Sequence, residues 1–365
     1  MNIKVLVQRL LYSRADEESL LKKFLLLPLS LLSLIYRFLV QSRLALYNGG
    51  ILKMHSLPCR VISVGNITLG GTGKTPTVIY LAGLFKDKGM QPVVLSRGYK
   101  AKSSVATAVV SNGATTFMDP QEAGDEPFLL SQALRGIPVI IGPNRALSGR
   151  FACEQFSPQV VILDDGFQHQ RIKRDVDIVL IDRHHGFGNG YLLPRGILRE
   201  PLSALSRAHI VLLTKQSESE ADDQLKQQIR RHNPAVPIFQ ADYAVNSVKT
   251  FHEQKDVQLD FLNGKKVLAL SGIGNPHYFS FLLKQSGMLV TEEWILPDHH
   301  DYTEKDIHRA RDFLSRVDYI VTTAKDSCKM DKKFFCDLPI LILEVALQID
   351  EEQHFKDTLF TLLHE

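Results

Sequence analysis

Residues 61–76 read VISVGNITLGGTGKTP, in which an apolar run, a glycine-rich turn and a helix start follow one another. This order predicts a strand, a loop and a helix that together bind phosphate. Small residues let backbone N–H groups surround phosphate oxygens, and the helix N-terminus adds partial positive charge. We expect Lys74 to reach the β- and γ-phosphates of a nucleotide and the Thr75 hydroxyl to bind Mg²⁺. The expected nucleotide-binding residues are Gly70, Gly71, Thr72, Gly73, Lys74 and Thr75.

The glycine-rich turn departs from the usual phosphate-binding pattern at one position. That pattern has glycine five residues before Gly73, where this chain has Thr68. The alternative interpretation is a glycine-rich turn with an incidental lysine. We favour nucleotide binding because the strand, loop and helix signals agree.

A second apolar run, QVVILDDG at residues 159–166, ends in two acids. It predicts a buried parallel strand whose terminal Asp164 and Asp165 support Mg²⁺, directly or through water. A helix cap is the alternative for either acid. Open α/β sheets bind ligands at the carboxyl ends of their strands, so Gln168 and His169 in the following loop are expected to line the site. Ordinary surface polarity is the alternative for these two residues.

Length and composition set broad limits on the kind of protein. A chain of 365 residues suggests two domains with an ample core. The net charge of +3 gives no nucleic-acid footprint, so no nucleic-acid partner is expected. The four cysteines have no metal-type spacing and are expected to be free and reduced, which suits the cytosol.

The N-terminal region, residues 1–45, is basic and contains the most hydrophobic segment of the chain, residues 24–40. A signal peptide does not fit, because acids precede the segment and no small-residue cleavage site follows. A membrane-spanning helix needs ~20 apolar residues, and the uninterrupted run at residues 24–36 is shorter. A helix lying in a membrane surface fits better, because one narrow polar stripe faces an apolar remainder. The stripe consists of Lys22, Lys23, Ser30, Ser33, Arg37 and Gln41. The alternative is a helix that packs on the protein's own core. Both interpretations are compatible if one side of the helix packs on the protein and the other contacts lipid.

Strands alternate with helices along most of the chain, which predicts an α/β fold with a parallel sheet covered on both faces. We expect a phosphate-binding-loop kinase domain at residues 46–205 and a second, smaller α/β domain at residues 206–365. Whether the last strand returns to the first domain is left open.

Three further segments carry candidate functional residues. Asp125, in GDEP at residues 124–127, is best explained locally as a helix cap, although a carboxylate there could also accept a proton from a hydroxyl. Arg195 and Arg199, in LPRGILREP at residues 193–201, suit phosphate; an ion pair of Arg199 with Glu200 or another acid is the alternative.

The third segment is PDHHDY, residues 297–302, which places two histidines between acids ahead of a predicted helix. Adjacent histidines rarely bind one metal, so an Asp–His proton relay fits better than zinc. Residues 214–217, TKQS, are similar to the guanine-reading loop of GTPases but lack its final Asp, which weakens a GTPase interpretation.

Taken together, these motifs resemble the tetraacyldisaccharide 4'-kinases, the membrane-associated lipid A kinases of Gram-negative bacteria. The resemblance extends from the hydrophobic N-terminus to about residue 330, and the unusual glycine spacing is also the family's own. The segments that carry it are residues 63–76, 124–127, 164–169, 194–201, 297–302 and 322–326.

The resemblance implies transfer of the ATP γ-phosphate to the 4'-hydroxyl of a tetraacylated glucosamine disaccharide 1-phosphate, which yields lipid IV-A. It implies a cleft between two α/β domains, ATP and Mg²⁺ as cofactors, and a location at the cytoplasmic face of the inner membrane. We expect a monomer. By motif match, Asp125 becomes the catalytic base and His299 its partner, Arg199 acts near the phosphates, and Asp164 and Asp165 support the metal. The main alternative is a membrane-associated ATPase switch that binds a protein partner and modifies no lipid.

Overall fold

A computed structural model describes residues 26–99, 101, 106–215, 219–335 and 337–364. Two members of the predicted polar stripe, Lys22 and Lys23, lie outside these ranges, as do the last two residues of the TKQS segment.

Within the described ranges, thirteen strands form one sheet in the order β11-β10-β12-β13-β8-β7-β6-β1-β5-β2-β4-β3, with β9 paired to β8. The strands are β1 (Arg60–Asn66), β2 (Pro92–Ser96), β3 (Ala108–Ser111), β4 (Val139–Ile141), β5 (Val160–Asp164), β6 (Val176–Asp182), β7 (Ile210–Thr214), β8 (Ile238–Thr250), β9 (Asp256–Val257), β10 (Lys266–Ser271), β11 (Leu289–Ile295), β12 (Tyr319–Thr323) and β13 (Ile340–Ile349).

Helices flank this sheet, as the alternating pattern predicts. They are α1 (Leu27–Asn48), α2 (Lys74–Asp87), α3 (Pro120–Ala123), α4 (Asp125–Ala133), α5 (Arg145–Phe156), α6 (Ser219–His232), α7 (Leu259–Leu262), α8 (Pro276–Gln285), α9 (Glu304–Phe313), α10 (Ala324–Ser327) and α11 (Glu352–His364). A 3₁₀ helix covers Leu202–Arg207.

The central strands are parallel and covered on both faces. Strand β1 lies between β5 and β6, and every residue of β5 and β6 is buried. Burial on both faces explains why these strands read as continuous apolar runs. The arrangement brings the carboxyl end of β1, which leads into the glycine-rich loop, beside the carboxyl end of β5, which carries the two acids.

Strands β8 and β13 join two groups of strands. We call β1–β7 with their helices the first lobe, and β10–β12 with α7–α10 the second lobe. The start of β8 pairs in parallel with β7, and most of its remaining length pairs antiparallel with β13, which also pairs with β12. The sheet is therefore continuous through both lobes.

The predicted boundary at residue 205 falls just before β7, which is hydrogen-bonded to β6 of the first lobe. The C-terminal helix α11 also lies against the first lobe. Tyr80 of α2 donates a hydrogen bond to Glu352, and the ring centroids of Phe85 and Phe360 are 5.6 Å apart. These contacts join residues from both sides of the predicted boundary. The division into two domains at residue 205 stays a prediction.

Helix α1 has one side against the protein and the other exposed. Ser33, a predicted member of the polar stripe, is 5% exposed and donates a hydrogen bond to the Leu192 carbonyl. The opposite face exposes large apolar side chains, of which Phe38 is 69% exposed. At 22 residues, α1 is longer than the apolar run considered above and is long and apolar enough to cross a membrane. The stripe thus includes a docking contact as well as exposed polar groups.

Candidate active site

The glycine-rich loop connects β1 to α2 in the predicted order. Lys74 and Thr75 form the first residues of α2, so both lie where the helix N-terminus meets the loop. Gly73 has φ +88°, and a Cβ there would lie 1.4 Å from the Tyr243 hydroxyl oxygen. Only glycine fits this position, because a larger side chain would be strained and would also collide with Tyr243.

Asp165 lies at the centre of a charged cluster beside this loop. Arg199 grips it with two hydrogen bonds of 2.8 and 3.0 Å, and the Lys74 ammonium lies 3.6 Å away. Burial acts to raise the pKa of Asp165, but the positive charges of Lys74 and Arg199 outweigh burial and hold that pKa well below its ordinary value. The carboxylate therefore stays ionised between two cations. Arg199 pairs with this acid and not with Glu200, which pairs instead with Arg207.

Asp164, the preceding residue, has a different environment. Its side chain is buried and one oxygen, Oδ2, accepts a hydrogen bond of 2.9 Å from Ser96. The other oxygen, Oδ1, is buried with no hydrogen-bond partner among the described residues. Burial and the negative charges of Glu126 and Asp165 raise the pKa of Asp164 to about 7. The pKa values of these neighbouring acids are therefore shifted in opposite directions, because their surroundings differ.

The loop after β5 brings Gln168 and His169 to the same region. The side-chain amide of Gln168 donates a hydrogen bond of 2.8 Å to the backbone carbonyl of Asn66. The guanidinium of Arg43, on α1, donates a hydrogen bond to the backbone carbonyl of Gln168. Burial lowers the pKa of His169 to about 3, with further lowering from nearby arginines that include Arg145. His169 is therefore neutral at physiological pH.

Arg195 is the other arginine of the segment at residues 193–201. It is buried, and its guanidinium lies over the Tyr191 ring at 4.6 Å. Its predicted role in substrate binding stays a prediction.

The structure joins Asp125 and His299 across the two lobes. Asp125 is the first residue of α4 and its Oδ2 lies 2.8 Å from His299 Nδ1. The N-cap of α4 is Gly124, and no side chain makes a cap hydrogen bond there, so the helix-cap interpretation of Asp125 is wrong. His300 contacts Asp306 instead, so the adjacent histidines have separate partners.

Lysines of the second lobe approach the same acid. The Lys329 ammonium lies 3.8 Å from Asp125 Oδ2 and 3.1 Å from Asp326, and Lys325 lies 3.7 Å from Glu126. Burial acts to raise the pKa of Asp125, but the His299 hydrogen bond and the lysine charges lower it overall. Asp125 is therefore an ionised acceptor held by partners from the other lobe.

Comparison with known proteins decides the family. A family model described as Tetraacyldisaccharide-1-P 4'-kinase (LpxK) matches residues 23–364. The chain belongs to the tetraacyldisaccharide-1-phosphate 4'-kinase family. Membership confirms the predicted resemblance and makes the chain a phosphotransferase that acts on a hydroxyl group.

Individual members of the family cover almost the whole chain. The tetraacyldisaccharide 4'-kinases of Syntrophus aciditrophicus and Halothermothrix orenii are 40% and 38% identical to it, over 93% and 92% of both chains respectively. A crystal structure of LpxK from Aquifex aeolicus in complex with ATP is 33% identical, covers 93% of this chain and 99% of its own, and has a TM-score of 0.73. This match confirms the predicted α/β fold of the kinase.

Sequence reasoning gave no role to several residues that shape this site. Asn66 donates to the Thr72 hydroxyl and accepts from Arg199, so it connects the glycine-rich loop to the Asp165 cluster. Arg145 of α5 donates to the Asp164 carbonyl. Lys329 lies more than two hundred residues from Asp125 in a lysine-rich segment, where no local pattern marks it.

Proposed function

We propose that this kinase transfers the γ-phosphoryl group of ATP to the 4'-hydroxyl of a tetraacylated glucosamine disaccharide 1-phosphate, forming lipid IV-A. One series of contacts carries the proposal. Tyr36 on the half-exposed apolar helix donates a hydrogen bond to the Arg199 carbonyl, Arg199 grips Asp165, and Asp165 lies next to Lys74. These contacts place the apolar helix close to the phosphate-binding lysine. An amphiphilic acceptor requires this proximity, because its acyl chains lie in the membrane while its headgroup reacts.

The acceptor headgroup has a candidate location beside α1. An open cavity of about 600 Å³ lies there, which is within the usual size range of small-molecule sites. Its lining is rich in basic groups, which suit a phosphorylated sugar. The lining residues are Arg43, Tyr47, Leu52, Lys53, His55, Pro143, Asn144, His169 and Arg171. We propose that Gln168, Arg195 and Arg199 assist binding around this cavity.

ATP would bind across the glycine-rich loop, with Lys74 on its terminal phosphates. Mg²⁺ fits the acids, because Asp164 Oδ1 is a buried carboxylate oxygen with no hydrogen-bond partner in the described part of the chain. Mg²⁺ usually takes one or two carboxylates plus phosphate oxygens. Asp164, Asp165 and the Thr75 hydroxyl would hold the ion. When bound, it would neutralise charge on the transferring phosphoryl group.

Asp125 would accept the proton of the attacking hydroxyl at its other carboxylate oxygen, Oδ1, since Oδ2 is engaged by His299. His299 would hold this carboxylate in place from the second lobe. Lys74 and Arg199 would stabilise negative charge that develops on the phosphoryl oxygens. Phosphoryl transfer needs this positioning and charge neutralisation more than covalent chemistry.

The exposed face of α1 would lie in the cytoplasmic surface of the inner membrane without crossing it, and the enzyme would act as a monomer. Arg37 and Arg43 on the same helix would favour anionic lipid headgroups.

The decisive experiment supplies purified protein with labelled ATP and tetraacyldisaccharide 1-phosphate in mixed micelles. A product carrying a second phosphate on the distal sugar supports the proposal. ADP release that proceeds equally without the lipid, with no phosphorylated lipid, would favour the ATPase switch instead.

The catalytic pair is tested by a double-mutant comparison. Asp125→Asn should lower kcat far more than it lowers ATP affinity, because the base acts on the acceptor. His299→Ala should also lower kcat, and the double variant should be little worse than the worse single variant, as for residues that act as a unit. Fully additive losses would show that the two residues work separately.

A further inference from the structure

Lys215 lies beneath the glycine-rich loop, at the end of β7. It is 3% exposed, and its ammonium donates a hydrogen bond of 2.7 Å to the Gly71 carbonyl. The same ammonium pairs with the buried carboxylate of Asp182 at the end of β6. Lys215 thus connects the central sheet to the backbone of the loop.

The next carbonyl of the loop is also held from the sheet. The Thr214 hydroxyl donates to the Thr72 carbonyl at 3.1 Å, and the Tyr243 hydroxyl of β8 donates to it at 3.3 Å. Each peptide unit is planar, so fixing the carbonyls of Gly71 and Thr72 also fixes the N–H directions of the following residues. Loops of this class bind phosphate through those N–H groups.

The lysine is itself fixed at its backbone. Its N–H donates to the Ala241 carbonyl at 3.1 Å, and its own carbonyl accepts a hydrogen bond from the Arg183 guanidinium. Arg183 is in turn held by Asp222 and Asp242. A lysine anchored at both ends loses little further side-chain freedom when the loop is occupied, so it is suited to preorganise the loop.

Stability alone does not account for this arrangement. A buried ion pair is often no more stable than apolar residues of similar volume, because both charges must leave water. The ammonium here points at a loop carbonyl, where an apolar side chain would leave that carbonyl unpaired.

We propose that Lys215 is a positioning residue for ATP: it holds the Gly71–Thr72 backbone in its phosphate-binding shape and makes no contact with the nucleotide itself. The inference rests on the proposed binding of ATP by the glycine-rich loop. It does not depend on the identity of the acceptor.

The test measures ATP binding without acceptor, by calorimetry on the full chain, together with kinase kinetics. Lys215→Met should weaken ATP binding by about tenfold to a hundredfold, the range expected for loss of a hydrogen bond to a charged group. The KM for ATP should rise in parallel, while the KM for lipid stays constant and much of kcat returns at saturating ATP. Lys215→Arg, which keeps the charge, should recover part of the affinity.

Lys249→Met is the matched control, because Lys249 forms a more exposed ion pair with Glu344 on the joining strands. It should leave ATP affinity unchanged. Equal losses of ATP and lipid affinity in Lys215→Met, or wild-type ATP affinity, would overturn the proposal. If Lys215→Met does not fold, Thr214→Val is the second test, because it removes the hydrogen bond to the adjacent loop carbonyl of Thr72. It should weaken ATP binding several-fold. Unchanged ATP binding in Thr214→Val would overturn the proposal. Wild-type protein that binds no ATP would instead refute the proposed function.

Discussion

Gly65 lies near the end of β1, beside the turn formed by residues 164–167, which we call the acidic turn. One added methyl group at Gly65 should lower the stability of the protein and displace this turn. A Cβ there would lie 2.6 Å from Phe167 Cβ and 2.8 Å from Phe167 N. Phe167 is fully buried, and the turn is also held by a hydrogen bond from Gly166 N–H to the Val64 carbonyl. Neither clashing atom can move by a rotamer change, so the backbone itself must shift.

The expected energy follows from two opposing effects. Overpacking of this kind costs about 1–3 kcal/mol, and the reduced freedom of the unfolded chain returns about 0.4–1 kcal/mol. Gly65→Ala should therefore lower the free energy of unfolding by roughly 1–2 kcal/mol. Displacement of Phe167 should also move Asp164 and Asp165, which precede it in the same turn. Because both acids are proposed to support Mg²⁺, kcat should fall as well.

Gly83→Ala gives a matched comparison of opposite sign. Gly83 lies inside helix α2, and a Cβ there meets no atom within 4 Å. Alanine should stabilise the helix by about 0.8–1 kcal/mol relative to glycine. Urea unfolding with constant m-values should therefore separate the two variants by roughly 2–3 kcal/mol. Equal midpoints, or unchanged kcat in Gly65→Ala, would refute the inferred contact between β1 and the acidic turn.

Three further outcomes are expected. Lys74→Ala should lower turnover by a factor corresponding to about 2.7–4 kcal/mol, because it removes charge stabilisation in the transition state; near-normal kcat in a folded variant would contradict this role. The double replacement Leu34→Ser and Phe38→Ser on the exposed face of α1 should reduce binding to anionic vesicles without lowering the unfolding free energy, with Ser30→Ala as the control; unchanged vesicle binding would exclude this face as the membrane contact. His169→Gln should lessen the loss of stability on acidification: the folded-state pKa of about 3 lies below the unfolded value, so the contribution of His169 is present above pH 6.5 and is lost as pH falls toward 3. An unchanged pH profile of unfolding would show that His169 is not held neutral.

The features that sequence reasoning predicted are local ones. The strand, glycine loop and helix at residues 61–76 and the acids that end β5 follow from short-range patterns, because apolar runs and glycines act within a few residues. No continuous apolar run marks β11, because its burial alternates along an edge and its sequence includes Thr291, Glu292 and Glu293. Apolar sequence marks only the starts of β8 and β13, since their later halves are partly buried and mixed in polarity.

The long-range parts of the site could not be predicted from local pattern. Asp125 looked like a helix cap because Asp is common before helices, and its partner His299 is 174 residues away. The resemblance to a family, and not spacing or composition, pointed to this pair. Its residue type predicts that Arg199 binds phosphate, but its two hydrogen bonds to Asp165 depend on the fold bringing two loops together.

The two lobes contribute different parts of the proposed reaction centre. The first lobe supplies the glycine-rich loop and Asp125, and the second supplies His299 and Lys329 around that acid. The second lobe also reaches the loop, where a Cβ on Gly274 would lie 3.1 Å from Gly71 N. Moving the lobes apart would therefore remove the partners of Asp125 and release one side of the loop together. Because β8 and β13 join the lobes through hydrogen-bonded strands, such a movement must bend these strands.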